Sequence, residues 1–88
     1  MCFVLFLSEG PLRVGVVASR KVGDAVRRNR AKRLLREVVR RNRPKRAVSA
    51  DFVLVARAAL AGASYGDLER AYVATVARAL LEHASHNR

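Results

Sequence analysis

Five apolar residues, Ala31, Leu34, Leu35, Val38 and Val39, recur at i, i+3, i+4, i+7 and i+8 inside the most basic stretch of the chain. That spacing describes one face of an α-helix. At 100° per residue the five cover an arc of roughly 140°. Asn29, Lys32, Arg33, Arg36 and Arg40 fall on the other side. Such a helix docks by one face and shows a cationic stripe with the other. The rest of the chain must therefore supply a surface for the apolar arc.

The stripe belongs to a wider segment. Residues 20–46 hold thirteen of the eighteen Lys and Arg residues and only two acids, Asp24 and Glu37. The remaining residues carry five charges of each sign, so the whole formal excess of +11 lies in this one segment. Asp24, after Gly23, is one candidate N-cap, and Asn29 is the other. A start at Asp24 turns Arg27 and Arg28 toward the apolar side. Residues 24–28 therefore read as an irregular lead-in or as a first turn beyond the edge of the core. The helix is expected to end before Pro44, near Arg41 or Asn42.

The flanking segments supply strands. Phe3 to Leu7 is a continuous apolar run, followed by the turn cluster Ser8-Glu9-Gly10-Pro11. Arg13 to Ala18 is rich in valine and reads as the second strand of a hairpin. Gly15 inside it marks either a bulge or a close approach of another chain. After the basic helix comes a loop over about 42–50, with Pro44, Lys45 and Arg46, then a third strand from Phe52 to Ala56. Ser64 with Asp67 forms a candidate capping box for a last helix. That helix puts Leu68, Tyr72, Val76, Ala79 and Leu80 on one face and runs to about His83. The tail from Ser85 to Arg88 is expected to fray. The strand–helix–strand stretch over 13–57 implies a crossover between parallel strands. The expected fold is α+β: a small sheet of about three strands with two helices, in β-β-α-β-α order, as one domain over 1–88.

Several function classes are disfavoured. One cysteine, Cys2, allows no intrachain disulfide. The Cys2–Leu7 run is far shorter than the ~20 residues of a membrane span. His83 and His86 stand three apart without a Cys or acid cluster, so no metal site is expected. No nucleophile–base pair, carboxylate pair or glycine-rich phosphate cradle is evident, and the chain looks unequipped for chemistry by itself. A pI near 11.6 points instead to a polyanionic partner, nucleic acid first. The competing readings are a merely solvated charge run and a basic amphipathic helix on a membrane surface. Against the latter, the arc over 31–39 has strands and a second helix to pack on.

The stripe also has a recognisable wording. Arg28-Asn29-Arg30-Ala31-Lys32-Arg33-Leu34-Leu35-Arg36-Glu37 resembles the RNR motif of the bacterial ribonuclease P protein subunit. The preceding Val14 to Gly23 resembles that family's strand and Ser-Lys-Lys loop, and Asp51 to Arg57 its strand after the helix. The resemblance runs from about Phe3 to Leu81. It implies a ribonuclease P protein-like fold with a left-handed crossover.

The same resemblance implies a function: the protein subunit of a ribonucleoprotein endonuclease that removes the 5′ leader from precursor tRNA in the cytoplasm. The RNA subunit, with Mg²⁺ bound in the complex, performs the cleavage, and the protein alone binds no cofactor. Arg28, Asn29, Arg30, Lys32, Arg33, Arg36 and Arg40 would face the catalytic RNA, with Arg28 and Asn29 also near the precursor tRNA. Phe6, Ser19, Arg20, Lys21 and Arg57 would line the path of the leader. For several of these a plain structural role competes: a core ring for Phe6, an N-cap for Asn29, a local ion pair for Arg57. The family usually opens with a basic segment and an aromatic-bearing helix before the Phe-Val-Leu strand. This chain starts almost at that strand, so the domain is expected to lack that helix and one wall of the leader cleft. The rival within RNA binding is another accessory or ribosomal-protein-like module.

Overall fold

The computed structural model describes residues 2–43 and 50–86, and the side chains as far as His83. Pro44, Lys45 and Arg46 lie outside the described residues, as does the end of the tail. The strands are β1 (Phe3–Glu9), β2 (Val14–Ala18) and β3 (Ala50–Ala56); the helices are α1 (Ala25–Arg41) and α2 (Tyr65–His86). Two short 3₁₀ turns, Arg20–Val22 and Ala58–Gly62, lead into α1 and α2.

Alternation along β3 explains its place. Ala50, Phe52, Leu54 and Ala56 are buried, while Asp51, Val53 and Val55 point the other way. β3 is apolar on both faces over 52–55 and takes the centre of the sheet, in the order β1-β3-β2. It pairs antiparallel with β1 and parallel with β2, each in unbroken register. The two-stranded hairpin expected from the sequence therefore does not form, because β3 is inserted between its arms.

The connection spans the gap at little cost in chain. Two strand spacings are ~10 Å, and the four residues 10–13 reach farther than that. Asp51, near the start of β3, holds the connection. Its carboxylate accepts from the Arg13 N–H at 2.8 Å and from the guanidinium at 2.8 and 3.2 Å. Those bonds, the side-chain one foremost, hold the Asp51 carboxyl below its ordinary range. Gly10 makes room for it: a Cβ there would collide with the Asp51 carboxylate. Leu12 turns the chain with φ of 72°.

Both helices cover one face of the sheet. Ala31, Leu35, Val38 and Val39 of α1 meet Leu68 and Tyr72 of α2 in a core with Phe3, Leu54 and Ala56. Four of the five residues marked by the 3.6-residue spacing are buried, and the fifth, Leu34, is half-buried against this core. The rings of Phe3 and Tyr72 sit 6.3 Å apart, tilted by 44°. The Tyr72 hydroxyl is buried without a partner among the described residues, and burial pushes its pKa up to about 12. The Ser64 Oγ accepts the Asp67 N–H at 3.1 Å, the capping bond expected from the sequence. No helix among the described residues is long and apolar enough to cross a membrane.

Candidate nucleic-acid interface

α1 is placed by its first turn. Ser19 Oγ accepts the Lys21 N–H, closing the preceding 3₁₀ turn. Gly23 follows with φ of 140°, a conformation that side chains disfavour. Asp24 then caps the helix, accepting the Arg27 N–H at 3.0 Å. Of the two sequence-level readings for residues 24–28, the irregular lead-in is wrong: residues 25–28 are a regular first turn, with Val26 77% exposed beyond the core. Asn29 is consequently not the cap but an exposed residue of the second turn.

The cations of α1 divide into three sets. Arg33 and Arg36 point to solvent, as does Arg40. Arg28, Asn29 and Lys32, with Ala25, line a groove between α1 and β2, and Val16, Val17 and Ala18 stand opposite. Arg30 lines a different groove, on the other flank of α1, together with Arg27, Leu34 and the turn Leu60–Ala63. Arg27 was not singled out from the sequence because helical spacing puts it on the apolar side. Its long stem escapes over Gly23, where a Cβ would stand 2.7 Å from the Arg27 Cδ.

Pairing separates the same cations in another way. Among the described residues, Arg27, Arg28, Arg30, Lys32, Arg33 and Arg36 enter no ion pair. Arg40 does: two of its nitrogens donate to Glu37, at 2.6 and 3.2 Å, and Arg41 donates to the same carboxylate at 2.9 Å. The hydrogen bond from Arg40 is the main reason the Glu37 carboxyl is held below its usual range. Arg40 is thus partly neutralised, which its place in the stripe did not reveal.

The second candidate region lies on the sheet face that the helices leave open. Val4, Phe6, Val53, Val55 and Val17 share it, and Phe6 is 57% exposed. Phe6 is therefore not a core ring. A cleft of about 660 Å³ on this side is lined by Val4, Phe6, Ser19, Lys21, Val55, Arg57, Ala58 and Ala59. Four of the five residues placed along the leader path by resemblance come together here. Arg20 is exposed but does not line the cleft. The Arg57 guanidinium has no acid partner among the described residues, while the Arg57 backbone N–H donates to the Cys2 carbonyl at 2.9 Å. No group of three His, Cys, Asp or Glu residues comes together among the described residues.

Comparison with known proteins bears on this arrangement. A sequence model of the family described as Ribonuclease P matches residues 2–80. A ribonuclease P protein component from Syntrophus aciditrophicus is 38% identical over 71 residues, covering 77% of this chain and 60% of that protein. One from Nitratiruptor is 39% identical over 69 residues, covering 77% and 62%. The chain thus spans three fifths of the length of these curated relatives. The RNase P protein from Thermotoga maritima superposes with a TM-score of 0.75 at 28% identity, covering 88% of this chain and 76% of that one.

Proposed function

The chain belongs to the ribonuclease P protein family, and from that premise we propose that it docks on a catalytic RNA through the unpaired cations of α1 and guides the 5′ leader of precursor tRNA over the open face of its sheet. The observation that carries this is the division of labour on α1. Most of its apolar arc is buried, while six cations between Arg27 and Arg36 have no ion-pair partner among the described residues. Guanidinium forks and an ammonium so placed suit the phosphates and 2′-hydroxyls of folded RNA. Arg28, Asn29 and Lys32 would take one strand in the groove beside β2, and Arg33 and Arg36 the next phosphates outward. Arg30 reaches RNA from the other flank. Arg40 contributes less, because Glu37 holds it.

Across the β2 edge, the chemistry changes from phosphate binding to base stacking. Phe6 offers an exposed ring, and Ser19, Lys21 and Arg57 offer donors at one end of the same cleft. That combination suits a single strand with unstacked bases. Arg20 serves the approach to this cleft from outside. Bond cleavage belongs to the RNA partner, with Mg²⁺ held on the RNA side, and the compartment is the cytoplasm.

Reconstitution tests the reading. Purified chain mixed with catalytic RNA of a bacterial ribonuclease P should raise precursor-tRNA cleavage at low Mg²⁺, while the chain alone should leave precursor tRNA uncut. Correct 5′ cleavage by RNA-free protein would overturn the assignment of roles.

A further inference from the structure

Gly15 sits in the middle of β2, where a glycine weakens a strand and needs a reason. The structure removes the reasons internal to the chain. Gly23 is the one glycine at positive φ among the described residues, so Gly15 is not there for its backbone angle. β2 pairs with β3 from Val14 to Ala18 without an extra residue, so there is no bulge. A Cβ built on Gly15 meets no atom of the described residues within 4 Å, so none of them needs the space.

The consequence of the missing side chain is visible next door. Val53 and Val55 both lie on the open face of the central strand. Val55 is flanked in register by Val4 and Val17 and is half-buried. Val53 is flanked by Phe6 and Gly15 and is 40% exposed. Gly15 therefore opens one side of the row Phe6–Val53–Gly15, leaving a step at the free edge of β2. On the same face stand Phe6 and the cations Lys21 and Arg57, which have no acid partners among the described residues.

We propose that Gly15 is a specificity notch: it is kept without a side chain so that a single strand of RNA can lie directly against Val53 and Phe6. The inference rests on the assignment of the open sheet face to RNA made above. Charge selects the occupant. The cations Lys21 and Arg57 stand toward the Val55 end of the face, and Phe6 links that cleft to the row. Asp51, beyond Val53, is already held by Arg13, so the face suits a polyanion that also carries apolar flat groups. A folded duplex keeps its base faces stacked inside and gains nothing from the row.

A site-resolved titration tests this. The ¹⁵N-labelled chain is titrated with an unstructured RNA octamer, and amide shifts are followed separately at Val53 and Val55 and at Arg33 and Arg36 of α1. Gly15→Thr should weaken the response at Val53 by about tenfold, the scale of one lost stacking contact, and leave the α1 response in place. The same substitution should raise Tm by roughly 2–5 °C, because threonine suits an extended strand better than glycine. Binding and stability thus move in opposite directions. Unchanged affinity at Val53, or a loss of affinity accompanied by a fall in Tm, would overturn the notch. Phe6→Ala separates the two claims. If it weakens the Val53 response while Gly15→Thr does not, the notch fails and the open-face assignment stands. If Val53 and Val55 do not respond even in the unaltered chain, both fail. An acidic peptide of equal charge that shifts these amides as strongly as the RNA would also overturn the proposal.

Discussion

The two ends of α1 are written in nearly the same residues and behave differently. From Arg27 to Arg36 the helix carries six cations with no acid to meet them among the described residues. From Glu37 to Asn42 it is tied down. Glu37 takes both Arg40 and Arg41, the Arg41 guanidinium lies 5.3 Å from the centre of the Tyr65 ring, and Asn42 donates to Glu69 of α2 at 2.9 Å. Tyr65 donates to the same Glu69 at 3.2 Å. One end carries cations without acids among the described residues, and the other holds the two helices together. A run of positive charge is therefore not one functional unit; the placement of a single acid, Glu37, divides it.

The largest expected effect removes the floor under both ends. Leu35 is fully buried where α1 meets the core. Leu35→Ala should cost about 3 kcal/mol in urea unfolding and abolish the distinction altogether. Asn42→Ala acts on the tied end only. It removes a bond to Val38 O and one to a carboxylate. A loss of about 1–2 kcal/mol is expected, with RNA affinity unchanged; a loss of affinity without a loss of stability would mean the tied end also touches RNA. Glu37→Gln should make the second end resemble the first. By freeing Arg40 and Arg41 it should raise catalytic-RNA affinity by roughly threefold, since two more phosphates come within reach of unpaired cations. An unchanged affinity would show that Arg40 and Arg41 are held away from RNA by position and not by Glu37.

Acid should produce the smallest change. Glu37 and Asp51 both have folded pKa values lowered by arginine partners. Their contribution is fully present above the ordinary carboxylate range and fades as pH falls through the lowered folded values. Tm should therefore be flat near neutrality and drop only in that acid range. Asp51→Asn should flatten the drop more than Glu37→Gln, because the Asp51 carboxylate is the less exposed of the two.

Much of this could be read from the residues, and the limits have physical causes. The arc Ala31 to Val39, the third strand over Phe52 to Ala56 and the cap at Ser64 are local patterns. All three form, with β3 starting earlier, at Ala50, and Leu34 of the arc only half-buried. The strand order is not local. Nothing in Phe3–Leu7 or Val14–Ala18 encodes that β3 will lie between them, and short apolar runs separated by a turn read as a hairpin. On α1, an intrahelical ion pair for Glu37 among arginines is legible from i, i+3 and i+4 neighbours, and it forms; which arginines it takes is not. Spacing gives the face a residue occupies, but not that Glu37 reaches Arg40 and Arg41 together, or that Gly23 lets Arg27 lie across it. The cleft joining Phe6, Ser19, Lys21 and Arg57 draws on both sheet edges and the turns that follow, so no window of sequence displays it.

The central claim is that the untied end of α1 is what meets RNA, and salt dependence tests it most directly. With about five phosphates neutralised, log K against log salt should fall with a slope of roughly −4 for the unaltered chain on catalytic RNA. Arg33→Ala with Arg36→Ala should bring the slope to roughly −2.5, as two counterion releases are lost. Arg40→Ala with Arg41→Ala removes as much formal charge and should leave the slope near −4. Equal slopes for the two double variants would contradict the account, and a larger change at residues 40 and 41 would reverse it.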